Sequence, residues 1–314
     1  MSIDTYTRKF AALKVAVNNG HRSPHKICMI LAVLDLARSG RLNQNAIYFD
    51  HELLTRYLQF FTAVSTSRDN PNAHYPFFYL QGALKGGGDS FWHLHPIPGR
   101  EIILAAMSNV RKVSDVTQNI AYATLDPELF ELLKNPVAIE ILSTSLAIHW
   151  FDRGLEELHT VVNQYAAVAR YEQKIRTINL TAQEAPAPEY IRKPAFRRTV
   201  TQIYDYRCAA TGIRLLLPTG ESMVEAAHIH PFSEAGDDDA RNGLALSPNI
   251  HWAMDKNLIS PGPDLKWHVS KLIDSRIPDN ALLTSLDKKP LILPAEAWWT
   301  PKMESLQWRI ARLR

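Results

Sequence analysis

Apolar residues at the start of the chain recur every three or four positions, at Tyr6, Phe10, Leu13 and Val17, which predicts an amphipathic helix over residues 4–18. Asn18-Asn19-Gly20 ends that pattern and Ser23-Pro24 opens the next one. Serine suits a helix cap, and proline suits the first helical position, where its missing N–H costs nothing. From Ile27 to Leu36 the chain is apolar almost all round, so the second helix is expected at the centre of a core, with Gly40 closing it. Two aromatic-rich runs, Tyr75 to Leu80 and Phe91 to Leu94, predict the strands of a β-hairpin across a linker holding Gly86-Gly87-Gly88-Asp89. Helical spacing dominates from residue 101 to 177, with Asp126-Pro127-Glu128 marking one start and Leu155, Leu158, Val161 and Val162 sharing one face of a later helix. Periodicity then fails over 178–190, where Ala, Pro and Glu predominate.

That break divides the chain into expected domains at 1–177 and 191–314, joined by a linker at 178–190, and a length of 314 residues supports two cores. The fold class expected is α+β. No repeat is visible, which removes solenoids and propellers. The 46% hydrophobic and 21% charged composition is that of a soluble protein with no membrane partner. The opening MSIDTYTRKFAALK is mixed in charge and does not read as a secretory signal, so the expected location is cytoplasmic. Two cysteines, Cys28 and Cys208, exclude a disulfide framework and a four-cysteine zinc knuckle, and Cys208 is expected to be a small core residue. A net charge of +3 permits a polyanionic partner without requiring one.

Chemistry concentrates between Tyr204 and Ile259, in Tyr206-Arg-Cys-Ala-Ala-Thr-Gly212, Glu225-Ala-Ala-His-Ile-His-Pro231, Arg241-Asn-Gly-Leu-Ala-Leu246 and His251-Trp-Ala-Met-Asp255. Hydrolysis of a phosphodiester needs a base, a cation and a frame to hold them. His228 follows a strand-like apolar run and supplies an imidazole suited to base work. His251 and Asp255, four apart, share one helix face and form a metal pair. Four ordered pieces together resemble the HNH endonuclease family, in its restriction-type branch. The resemblance implies a C-terminal ββα-metal nuclease domain with His228, Asn242 and His251 as the catalytic set, Asn242 holding the connecting loop in register. The imidazole and the cation are then expected to converge on one phosphorus atom. Family members place a metal-binding Asp or His directly before the base, where this chain has Ala227, so water, Glu225, His230 or the substrate phosphate must fill that place. Mg²⁺ or Mn²⁺ is the expected cofactor. Asp237-Asp238-Asp239 follows Gly236 and is read as a solvated turn. Arg192, Lys193, Arg197 and Arg198 form a basic run that either tracks phosphates or is a solvated face.

In the first half, Ser23-Pro24-His25-Lys26 and Tyr75-Pro76, with the buried second helix and the aromatic runs, resemble the sulfur-binding domain of McrA-type modification-dependent restriction enzymes. This implies recognition of double-stranded phosphorothioate DNA by an apolar cavity built from Pro24, His25, Lys26, Tyr75 and Pro76. His25, Lys26 and the helix-start N–H groups would hold the residual negative charge. Phe78 and Tyr79 stand where relatives carry a small residue, and Arg100 reaches either a base edge, a phosphate or solvent. The resulting expectation is a Type IV-like restriction endonuclease, with double-strand cutting calling for a homodimer or repeated encounters. Its alternatives are an HNH nuclease reading 5-methylcytosine or a plain sequence, and a DNA-binding sensor whose catalytic centre has decayed.

Overall fold

The computed structural model describes residues 3–18, 21–82, 84–150, 155–177, 187–217 and 221–314. The chain separates into two compact units, residues 1–170 with 217–221, and residues 171–216 with 222–314. Most of the expected linker, 178–186, lies outside the described residues, and Glu189 and Tyr190 already belong to a helix.

The first unit contains α1 (Ile3–Ala11), the short pair β1 (Val17–Asn18) and β2 (His21–Arg22), α2 (His25–Arg38), α3 (His51–Val64) and α4 (His74–Tyr79). It continues through β3 (Trp92–Pro96), α5 (Glu101–Ala106), α6 (Val113–Thr117), β4 (Ile120–Leu125), α7 (Pro127–Leu132) and α8 (Pro136–Trp150) into α9 (Leu155–Arg176). Helix α2 is the core element its composition predicts: every residue from Ile27 to Leu36 is buried, and Gly40 follows at a φ of 69°. Helix α1 stops at Ala11, earlier than its spacing suggests, and Val17 is an exposed strand residue. Ser23 does not cap α2; its hydroxyl hydrogen-bonds the His25 ring, and Pro24 provides the first carbonyl acceptor.

The expected hairpin is corrected. Tyr75 to Tyr79 is helical, and β3 pairs antiparallel with the distant β4, from Trp92↔Leu125 to Pro96↔Ile120. The consecutive residues Phe77 and Phe78 are both buried, which alternation in a one-faced strand forbids and a helix wedged into a core allows. The Trp92 indole donates to the Phe77 carbonyl at 2.9 Å and locks this helix to the sheet, so tertiary packing overrides aromatic β-preference. The Asp126-Pro127 start is observed at α7.

One charge pair is sealed inside this core. Arg56 of α3 reaches Asp35 of α2 at 2.5 Å, both side chains being at most 1% exposed. Without Asp35 the Arg56 guanidinium keeps Glu52, 3.3 Å away, but loses its buried charge-assisted bond, so Asp35→Ala is expected to destabilise the fold by about 1.5–3 kcal/mol. A drop in the urea midpoint at unchanged slope checks this, and a loss below about 1 kcal/mol contradicts it.

The second unit contains the last turns of α9, α10 (Glu189–Ile203), β5 (Glu225–His228), α11 (Phe232–Ala235), β6 (Gly243–Leu246) and α12 (Pro248–Asp255). Then follow β7 (Ile259–Pro261), β8 (Trp267–Val269), α13 (Ala281–Thr284) and α14 (Met303–Ile310). Strands β5 and β6 pair antiparallel with Glu225 opposite Leu246 and His228 opposite Gly243. A Cβ at Gly243 would lie 2.6 Å from Val200 and 2.8 Å from Phe196, so the missing side chain is what lets α10 press on this face of the ribbon. Among the described residues no helix is long and apolar enough to cross a membrane.

Candidate active site and nucleic-acid pocket

His228 ends β5, and side chains alternate along a strand, so it shares a face with Ala226 and with Gly243, its partner in register. Its ring stacks on Phe196 of α10 at 3.9 Å with an interplanar angle of 1°. Nε2 lies 2.9 Å from Oδ1 of Asp238. Asp238, at 2% exposure, also accepts from the Tyr171 hydroxyl at 3.1 Å and from Arg192 at 3.2 Å. Burial, and then the Asp238 charge, hold the Tyr171 phenol well above its ordinary range, so it stays a donor. The reading of Asp237–Asp239 as a solvated turn is therefore corrected at Asp238 and Asp239, which are both buried, Asp238 against Tyr171, Arg192 and His228.

Asn242 is fully buried and spends its side-chain amide on three bonds to the loop. Nδ2 donates to the carbonyls of His230 at 2.9 Å and Asp237 at 3.0 Å, and Oδ1 accepts from the His230 N–H at 2.9 Å. It clamps the loop between the two strands and so fixes the end of β5. Arg309 of α14 does the same from below. Its guanidinium donates to the carbonyls of Ile229 at 2.6 Å and His228 at 3.2 Å, with Met254 of α12 at 3.4 Å. Nothing in the sequence near Arg309 marks this role.

Helix α12 opens at Ser247-Pro248 and buries Ile250, Ala253 and Met254, which leaves His251 and Asp255 together on its other side. His251 Nδ1 is 2.8 Å from Oε2 of Glu225, and His251 Nε2 is 3.5 Å from Oδ2 of Asp255. With the Nδ1 proton given to Glu225, the Nε2 lone pair faces a carboxylate oxygen, a conflict that a cation between them removes. Asp255 stands in the last turn of α12. A carboxylate there opposes the helix dipole and deepens the negative potential.

Among the described residues no group of three or more His, Cys, Asp or Glu side chains is arranged to hold a metal ion. The donor set His251 Nε2 and Asp255 Oδ2 fits a cation that keeps most of its water or takes substrate oxygens, as Mg²⁺ and Mn²⁺ do, and does not fit a closed structural centre. Ala227, at the position where a further ligand was expected, is buried. Among the described residues no hydrogen bond or ion pair joins His228 to His251 or Asp255. By strand alternation Glu225, which meets His251 of α12, shares one face of β5 with Ala227, and His228 lies on the other, where it stacks on Phe196 of α10.

The basic run divides. Arg192 and Arg198 are buried, paired with Asp238 and Glu172, while Lys193 is exposed and paired with Glu189. Cys208 is buried beside Ser247, 3.7 Å away.

In the first unit a cavity of about 650 Å³ is walled by Lys14, Val15, Ala16, Ser23, His25, Lys26, Tyr75, Pro76, Tyr79 and Gly82. Four of the residues expected to bind DNA thus share one wall. Pro24 is not on it, being buried behind the start of α2, and Arg100 is an exposed residue before α5 outside the cavity. Phe78 turns into the core and Tyr79 completes the wall. His25 Nε2 donates to the Asn70 carbonyl at 2.7 Å and Nδ1 is 2.6 Å from the Ser23 hydroxyl, so the ring is fixed in the wall, and burial pushes its pKa down. Positive charge comes from Lys26 and Lys14; burial, and then Lys14, lower the Lys26 pKa, which an incoming anion would reverse.

These features can be set beside known proteins. Residues 208–260 match the HNH endonuclease family. The matched stretch runs from Cys208 to Ser260 and contains His228, Asn242, His251 and Asp255. No curated protein gives a significant match to the sequence. Among solved structures the chain is similar to one described as a modification dependent TagI restriction endonuclease, at 19% identity and a TM-score of 0.32. That similarity covers 44% of this chain and 42% of the other, so the chain spans under half of that protein.

Proposed function

We propose that the protein is a metal-dependent DNA endonuclease of the modification-dependent restriction kind, with a ββα-metal centre formed by β5, β6 and α12, directed to phosphorothioate DNA by its first unit. What carries this reading is the state of His228 inside the HNH-matching segment. Its Nε2 is held by a buried carboxylate, while Nδ1 takes no hydrogen bond among the described residues and a fifth of the side chain, 19%, is open to solvent.

The residues act as follows. His228 Nδ1 takes a proton from a water molecule, whose oxygen attacks phosphorus; the P–O bond to the leaving oxygen breaks, and that oxygen takes a proton from solvent. Asn242 and Arg309 keep the imidazole at the ribbon end. His251 and Asp255 would hold the divalent cation, with Glu225 orienting the His251 ring. Bound there, the cation supplies positive charge for the phosphate and leaving oxygen. Because the base and the metal pair lie on opposite faces of β5, the phosphate must lie across the end of the ribbon, over a strand length of roughly 10 Å from Glu225 to His228.

For recognition, sulfur in place of a non-bridging oxygen is larger and a poorer hydrogen-bond acceptor. Tyr75, Pro76, Tyr79 and Val15 offer it an apolar wall while the two lysines take the charge. An oxygen placed there loses water without a donor in return, at about 1–3 kcal/mol, which is roughly 5- to 150-fold in affinity. The test incubates the protein and Mn²⁺ with matched duplexes carrying phosphorothioate, 5-methylcytosine or no modification. Preferential binding and cutting of the phosphorothioate duplex is expected. Equal treatment of all three overturns the recognition half. Binding without cutting under Mg²⁺ and Mn²⁺ alike favours the decayed sensor, for which the buried Ala227 is the structural argument. Since such a centre cuts one strand, cutting of both calls for a second copy or a second encounter.

A further inference from the structure

We infer that Asp238 is the residue that positions the His228 imidazole and fixes its tautomer, held in place by Tyr171 and Arg192; the inference rests on the reading of His228 as the base. A carboxylate only 1% exposed in its side chain survives burial because it is fully paired. All of its partners are donors or a ring nitrogen: the Tyr171 hydroxyl, the Arg192 guanidinium and His228 Nε2. Arg192 alone would balance the charge, so the additional bond to His228 needs a different reason.

The loop is built to deliver this one acid to His228. Its two neighbours face the other way, Asp237 to Lys302 at 2.7 Å and Asp239 to Arg241 at 2.6 Å. The backbone is pinned on both sides of Asp238, by Asn242 Nδ2 on the Asp237 carbonyl at 3.0 Å and by the Asn242 N–H on the Asp239 carbonyl at 2.8 Å. Phe196 on one side of the His228 ring prevents it from leaving the plane in which the bond forms.

The chemical consequence is specific. A carboxylate can only accept, so the imidazole proton sits on Nε2 and the lone pair on Nδ1, the nitrogen that has no partner. When Nδ1 takes the proton from water, the imidazolium forms against a fixed negative charge. Asp238 touches neither water nor substrate, and acts through His228 alone.

The test begins on the wild-type protein with selectively ¹⁵N-labelled histidine, observing which ring nitrogen of His228 carries the proton; Nε2–H is expected, and Nδ1–H overturns the inference. Asp238→Asn and Asp238→Ala then follow, with folding checked by circular dichroism. The single-turnover cleavage rate is expected to fall between about 10-fold and 10⁴-fold, the upper figure being the loss when a triad histidine holds the wrong tautomer, while DNA affinity stays within about 2-fold. Either folded variant cutting at the wild-type rate overturns the inference, as does a loss carried by affinity alone. Should Asp238→Ala fail to fold by stranding Arg192, the near-isosteric Asn variant and the wild-type tautomer decide the matter. A wild-type protein that shows Nε2–H yet cuts no DNA sinks the nuclease reading while leaving the Asp238–His228 linkage standing.

Discussion

His228→Ala is expected to lower the single-turnover rate of DNA cleavage by about 10²–10⁴-fold, the usual contribution of a positioned general base. The pocket of Lys14, Lys26, Tyr75 and Pro76 is untouched by this change, so affinity for a phosphorothioate duplex should move by less than about 3-fold. His228→Gln is the better-behaved companion, since it keeps a planar group against Phe196 and a donor toward Asp238 while removing the base. Both variants should lose cutting together. If His228→Gln cuts like the wild type, the imidazole is structural and another group deprotonates water.

Arg309 carries the second large effect. This guanidinium is 3% exposed, and burial pushes its pKa below the ordinary arginine value. It is nonetheless retained because it binds the carbonyls that end β5 and the Met254 carbonyl at the end of α12. One planar group therefore fixes both the strand that presents the base and the helix that presents the metal pair. Arg309→Ala leaves those carbonyls without donors and opens a cavity, and a stability loss of about 3–5 kcal/mol is expected. Arg309→Lys should recover little of it, because a single ammonium cannot span acceptors arranged for a planar fork. Urea unfolding compares the three proteins; a lysine variant as stable as the wild type would show that charge alone, not the fork, holds the site.

The parts legible in the sequence are those where one local rule acts without competition. Helix α2 is apolar on every side and lands in the core, and Asp126-Pro127 starts a helix, since neither choice depends on distant neighbours. The spacing of His251 and Asp255 likewise required only a helix to bring them onto one side. Tyr75 to Tyr79 was misread because aromatic β-preference is weak beside burial of Phe77 and Phe78 from both sides of a short helix. Asp238 was hidden for the opposite reason. Three consecutive acids after a glycine look like solvent, and only the partners Tyr171 and Arg192, distant in sequence, make the middle one a buried acceptor. Arg309 shares that invisibility, because its meaning lies in carbonyls that the chain brings near it only on folding. The fixed orientation of the His25 ring likewise comes from two hydrogen bonds that no spacing announces.

The opposite placement of His228 and the His251–Asp255 pair about β5 makes the position of the cation and the phosphate the decisive quantity. A crystal of His228→Ala with Mn²⁺ and a phosphorothioate duplex, read by anomalous scattering at the manganese edge, measures both. Manganese on His251 Nε2 and Asp255 Oδ2, with a phosphate across the end of the ribbon beside the vacated imidazole position, is the predicted result. Manganese bound elsewhere, or a phosphate confined to the α12 face out of reach of residue 228, would contradict it.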